Sequence, residues 1–175
     1  IEANETTGEL WEKLSKIGGK LLVETLKGIE DGTLKRTKQD ENFTLAPMLK
    51  KEIAQINWEK YSATQIKNLV RGLNPIMGAY TFLKEKKIKI WNVDVINEEE
   101  LINLDEQWRT YKYRLEELEA GTILISDEKI GLFIKAKDGI ISVNEIQGEN
   151  ARRMNIKDYL RGNNLPVGEI LEFVK

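Results

Sequence analysis

The stretch Asn68-Leu-Val-Arg-Gly-Leu-Asn-Pro-Ile-Met-Gly-Ala-Tyr-Thr81 carries a change of period. Ile66, Leu69, Val70 and Leu73 fall on one face of a helix, and Ser62-x-x-Gln65 ahead of them has the form of a capping box. Pro75 stops that helix, because the residue before a proline is pushed out of the α region. Gly78 then opens a β-like run, Ala79 to Leu83. A sharp turn from an amphipathic helix into a sheet is therefore expected at Asn74-Pro75.

Downstream the period is two. Ile88 and Ile90 alternate with Lys87 and Lys89, and the apolar phase then slips to Trp91, Val93 and Val95. This predicts a strand over 87–96 with a bulge near Trp91. Gly121 to Ser126, Ile130 to Ala136 and Ile140 to Ile146 read as three more short strands. Lys137-Asp138-Gly139 reads as a tight hairpin using the positive φ that Asp-Gly supplies. Asn155 to Asp158 starts a short last helix ending at Gly162. Five short strands behind one helix predict an α+β chain with a small β-barrel or strongly curved sheet.

Upstream, Thr6-Thr-Gly-Glu9 is another capping box, followed by Leu10, Leu14, Ile17 and Leu21 at helical spacing. Gly18-Gly19 is expected to divide this stretch into two helices, the second ending at Asp31-Gly32. The helices look like the tail of a separate α/β domain, over 1–33. Residues 34–46 read as a linker, and 47–175 as the barrel domain. Within it, Leu101, Leu104, Trp108, Tyr111, Leu115 and Leu118 form a three-four seam with acidic flanks, a helical insert over about 98–119. Two readings stand: a helix laid across a barrel face, or a docking helix for a protein partner or a second copy.

Composition removes several chemistries. The 175 residues include no Cys and no His, so thiolate nucleophiles, Cys-based zinc sites, Ser-His-Asp triads and imidazole acid–base catalysis cannot be built from them. No spacing of carboxylates supports a metal site. No apolar run approaches the ~20 residues that span a bilayer, and a cytoplasmic protein with no membrane partner is expected. Net charge is −2, so only local clusters could serve a polyanion. The chain opens on Ile1 with Met48, Met77 and Met154 all internal, and reads as a piece of something longer.

Four stretches in order resemble the C-terminal half of the methionyl-tRNA formyltransferase family. They are Ala46-Pro-Met-Leu-Lys-Lys51 leading to Ile56-Asn-Trp58, Leu69 to Pro75 with Gly78-Ala-Tyr80, Ile88-Lys-Ile-Trp91, and Arg152-Arg-Met154 with Asp158-Tyr-Leu-Arg-Gly162. Thr6-Thr-Gly-Glu-Leu10 is similar to the last helices of the same family's catalytic domain. The resemblance implies a Rossmann-like formyltransferase domain ahead of an OB-like barrel that helps hold initiator methionyl-tRNA. It also implies 10-formyltetrahydrofolate as cosubstrate of the parent enzyme, with none bound by this chain alone. The family's catalytic Asn, His and Asp lie upstream of this sequence, so no catalytic residue is assigned in it. The chain departs from the family at Ile76-Met77, at Ile53-Ala-Gln55, at Asn57 and at Gly148-Glu-Asn-Ala151, which keeps sugar-nucleotide formyltransferases open.

Holding a folded RNA calls for scattered Lys and Arg on one surface, because the deep groove of an A-form helix cannot be read by side chains. The candidate tRNA-binding residues are Lys50 and Lys51, Arg71 in the last turn of its helix, Lys84, Lys86, Lys87 and Lys89 about a strand turn, and Arg152 and Arg153. Lys50 and Lys51 stand out, since an irregular linker has little structural need for paired charge. Each also has a plainer reading: Lys87 and Lys89 as the wet face of a strand, Arg71 as a partner of its helix dipole. Trp58, Tyr80, Phe82 and Trp91 are candidates for base stacking or, for the two tryptophans above all, for the core.

Overall fold

A computed structural model describes residues 1–104 and 115–174. Helix α1 spans Thr7–Glu30 and α2 spans Ala63–Leu73, with a 3-10 turn at Lys51–Ala54. Strands β1 (Ala79–Leu83) and β2 (Lys86–Ile96) follow, then helix α3 (Glu98–Leu104). Strands β3 (Ile123–Asp127), β4 (Gly131–Lys135), β5 (Ile140–Gln147) and β6 (Met154–Asn155) lead to a last helix, α4 (Ile156–Leu160). The strands form one antiparallel sheet in the order β1-β2-β5-β4-β3, with β6 added beside β5. None of the described helices is long and apolar enough to cross a membrane.

The sheet's two free edges are joined by the C-terminal segment. Phe82 and Glu172 exchange backbone hydrogen bonds of 3.3 and 2.8 Å at the β1 edge. At the other end, Ile123 N donates to Glu169 O at 2.8 Å and Leu171 N to Gly121 O at 2.9 Å. Both edges thus find backbone partners, which leaves neither open to pairing with another strand at those positions. Gly121 makes this closure possible. Its φ is +95°, and a Cβ there would lie 2.6 Å from Leu171 O. Gly121→Ala is expected to cost roughly 2 kcal/mol, from the strained φ and the displaced closing segment together. A urea midpoint that does not move would show that the segment gives way without loss.

The turn at Asn74-Pro75 is built by two contacts. The extended Asn74 ends α2, and its buried Nδ2 donates to Trp91 O at 2.9 Å, where the β2–β5 register shifts. Gly78, at φ +66°, lies under the Trp91 indole, where a Cβ would meet the ring at 3.0 Å. The bulge expected near Trp91 is present, and this motif holds it. On α2, Ile66, Val70 and Leu73 are buried, and both halves of the Ser62–Gln65 box form.

Three expectations need correction. Gly18-Gly19 does not divide α1, which runs unbroken over 24 residues. Interior glycine costs only about 1 kcal/mol, and the flanking helix formers outweigh it. The Lys137-Asp138-Gly139 turn has no positive φ; that conformation occurs instead at Lys84 and Glu85, between β1 and β2. Asp138 is drawn aside, its carboxylate accepting from Ala63 N at 2.7 Å at the start of α2. Of the helical insert, the described residues show helix over Glu98–Leu104 and a turn over Leu115 to Glu117, short of a helix reaching 119; Trp108 and Tyr111 fall outside the described residues.

Leu101 and Leu115 are buried with Leu124, Ile125, Phe133 and Ile140 in a second apolar cluster. This cluster lies on the face of β4 opposite Leu132 and Ile134, which belong to the main core. Covering explains why β4 reads as an unbroken apolar run rather than an alternation. It also removes Leu101 and Leu115 from any docking seam, although Leu104 is 47% exposed.

Candidate nucleic-acid interface

The β1–β2 hairpin sets the centre of the site. Tyr80 pairs with Lys89 and Phe82 with Lys87 in antiparallel register, so all four project from the outer face. Tyr80 and Phe82 meet edge to face, with centroids 5.7 Å apart. Lys87 Nζ sits 3.7 Å from the Tyr80 ring centroid, a diagonal contact across the hairpin. Lys89 Nζ lies 5.4 Å from the Trp91 ring, and the Arg153 guanidinium 5.0 Å from it. Trp91 is itself only 8% exposed. Its Nε1 donates to Gln147 Oε1 at 3.0 Å, and Gln147 Nε2 donates to Ala151 O at 2.9 Å. The aromatic rings therefore serve as seats for cations, each a favourable arrangement where water is partly excluded.

Burial pushes the Lys87 amine below the usual lysine range, and the neighbouring charges of Lys89 and then Lys51 push it further down. The sign follows: the folded state disfavours the protonated amine, so this strain is present at neutral pH and is relieved as pH rises through the depressed value. Lys89→Met is expected to move the Lys87 titration upward when followed by NMR at its Cε and Nζ. A titration left in place would mean that Lys89 does not bear on it.

The nine basic candidates divide into three groups. Lys50, Lys51, Lys86 and Arg152 are exposed and have no carboxylate partner among the described residues. Lys87 and Lys89 are half-buried and held on aromatic faces. The other three are committed to partners within the chain. Lys84 pairs with Glu169 at 2.6 Å, and Arg153 pairs with Glu145 while donating to Asn74 Oδ1 at 3.2 Å. Arg71 donates from Nη1 to Glu5 O at 3.0 Å and Glu2 O at 3.3 Å, and from Nε to Asn68 Oδ1 at 2.8 Å. Its main partners are the backbone carbonyls of Glu2 and Glu5 rather than the carbonyls of its own helix.

Lys84, Lys86 and Lys87 also edge a groove of about 560 Å³, with Gly148 to Ala151 and Gly162 to Pro166 on the far side. Trp58 is 1% exposed and takes no part in this surface. Sequence reasoning passed over Asn74 and Gln147, which fix the Trp91 seat. Asn74 lies within the Asn74-Pro75 helix stop, a signal the sequence does carry, whereas nothing marks Gln147. Among the described residues, no group of acidic side chains could hold a metal ion.

Comparison with known proteins adds the family. The model described as the formyl transferase C-terminal domain matches residues 48–164. Methionyl-tRNA formyltransferase of Ruminiclostridium cellulolyticum is 35% identical over 172 residues, and that of Acetivibrio thermocellus 39%. Each match takes in 98% of this chain and 50% of the relative, so the chain spans about half the length of the curated relatives it matches. Among solved structures, a HypX variant from Aquifex aeolicus superposes with a TM-score of 0.60 at 15% identity, over 93% of this chain and 27% of that one. HypX in complex with tetrahydrofolic acid gives 0.51 at 17% identity, over 81% of this chain and 22% of that one. These two likenesses are of fold alone. With residues 48–164 matched, from just ahead of the 3-10 turn to just past α4, the chain belongs to the formyl transferase C-terminal domain family.

Proposed function

We propose that the full-length protein is a cytoplasmic formyltransferase that moves a formyl group from 10-formyltetrahydrofolate to the amino group of initiator methionyl-tRNA, and that this half holds the tRNA. The observation that carries the reading is the extent of likeness: relatives named methionyl-tRNA formyltransferase match 98% of the chain. In this reading residues 1–33 end a Rossmann-like domain, 34–46 are a linker, and 47–175 form an OB-like barrel domain. The exposed apolar stripe of α1, including Trp11, Leu14, Ile17 and Leu21, fits a helix belonging to an upstream domain.

The tRNA would lie against the outer face of β1 and β2, with Lys87 and Lys89 at its centre and Lys50, Lys51, Lys86 and Arg152 around them. Cations seated on rings lose little freedom on meeting a phosphate, which favours backbone contact over base reading. Lys84 and Arg153 contribute less, because Glu169 and Glu145 already neutralise them. The chain has no histidine to match the family's catalytic set, and no step of the transfer is assigned to its residues.

The test is formyl transfer by the full-length protein, given 10-formyltetrahydrofolate and either methionyl-tRNA or an amino-sugar nucleotide. Formylation of the tRNA is expected. Transfer to the sugar nucleotide alone would replace this reading with the other branch of the catalytic family.

A further inference from the structure

Helix α1 leaves all of its residues at least partly exposed, yet its start is fixed to the end of α2 by close polar contacts. Thr7 Oγ1 donates to Gly72 O at 2.6 Å, and Gly8 N donates to Asn74 O at 3.1 Å. The first turn of any helix has N–H groups without partners, and the last turn has carbonyls without partners. Here the unpaired N–H of Gly8 on α1 meets a carbonyl just past the end of α2, and the two helix dipoles meet head to tail. Gly8 is needed for the approach, since a Cβ there would lie 2.7 Å from Pro75 Cδ. Arg71 closes the junction from the other side. Its guanidinium reaches the carbonyls of Glu2 and Glu5, so the chain ahead of α1 is tied to α2 as well.

We propose that this junction is a latch that sets the angle between α1, with whatever packs on its apolar stripe, and the basic face of the sheet, and that Arg71 is a positioning residue within it. The proposal rests on the reading that α1 belongs to the upstream, catalytic half. A reacting amine carried on a large acceptor must be delivered to a centre on that half while the acceptor is gripped by this one. The angle between the halves then decides whether both contacts are made together. The Arg71 fork suits the task better than a lysine would, because three acceptors must be satisfied from one rigid plane.

The experiment uses the full-length protein with spin labels at Lys20→Cys and Glu128→Cys, in a background free of other reactive cysteines. The distance distribution between labels is expected to be narrow in the parent and broad in both Arg71→Ala and Arg71→Lys. Thr7→Val, which removes the hydroxyl donor without touching Arg71, is expected to broaden it also. In steady-state assays Arg71→Ala should raise KM for methionyl-tRNA about tenfold with kcat within about twofold, and leave the salt slope of tRNA binding unchanged. An unchanged distribution overturns the latch. So does a salt slope lowered by about 0.9, the signature of one lost phosphate contact. If the parent does not formylate tRNA, the functional reading fails, and the distance measurement still decides the latch.

Discussion

Trp58→Ala is expected to cost about 3–5 kcal/mol, a large share of the 5–15 kcal/mol that holds an ordinary domain folded. The indole is among the largest fully buried side chains, and it lies against the point where the sheet closes. Its Nε1 donates to Thr81 Oγ1 at 3.0 Å, and Thr81 Oγ1 donates in turn to Glu172 O at 3.1 Å. One side chain thus couples the segment leading into α2, the first strand and the C-terminal closing segment. Removing it leaves a cavity the size of an indole and loosens the orientation of the Thr81 hydroxyl. Trp58→Phe keeps much of the volume and loses the donor, so a smaller cost, about 1–2 kcal/mol, is expected. Urea unfolding of the two variants separates the packing share from the hydrogen-bond share. Near-equal losses would place the weight on the Trp58–Thr81 bond rather than on the cavity.

What the sequence disclosed and what it hid follow from the range of the interactions. Ser62 and Gln65 cap α2 across three positions, and the phase slip at Trp91 lies within one strand, so both are local and both are legible. The Asn74-Pro75 turn was legible as a stop, but its purpose was not. The Trp91 carbonyl that Asn74 satisfies lies 17 residues away. The candidate site suffers most from this limit. Lys84 and Glu169 are 85 residues apart, and Arg71 and Glu5 are 66 apart, so nothing local distinguishes a neutralised or committed cation from a free one. Gly18-Gly19 misleads for a different reason, since the modest cost of interior glycine is outweighed by the long helix around it. The strand β6 is two residues long and carries no period at all.

The same distinction changes which lysines bear on function. Lys87 and Lys89 alternate with buried isoleucines, and in the sequence this is what any half-exposed strand would show. In the fold they stand opposite Phe82 and Tyr80 and reach the rings of Tyr80 and Trp91, and burial first, then the charges of Lys89 and Lys51, hold the Lys87 amine down. A protein gains no stability from placing like charges together around a partly buried amine. An anion arriving between them would relieve that repulsion, so the arrangement favours binding over folding.

Lys87→Met combined with Lys89→Met is therefore expected to weaken binding of tRNA by the full-length protein about sixtyfold at about 0.1 M salt. Each lost phosphate contact removes about 0.9 from the slope of log K against log salt, hence about 0.9 decade at that concentration, and two contacts remove about 1.8. Methionine keeps the apolar stem over Tyr80 and Trp91, so the seats are preserved and the charge alone is lost. Stability should hold or rise slightly, because the repulsion acting on Lys87 is gone. Lys50→Ala with Lys51→Ala makes the natural comparison. Those two side chains are exposed, at the start of the 3-10 turn, and neither is seated on an aromatic ring, so ordering them on a phosphate costs more side-chain entropy and a smaller loss is expected there. Equal slopes before and after the methionine pair would return Lys87 and Lys89 to the role of a wet strand face. A loss of affinity with an unchanged slope would mean that the seats, rather than the charges, meet the RNA.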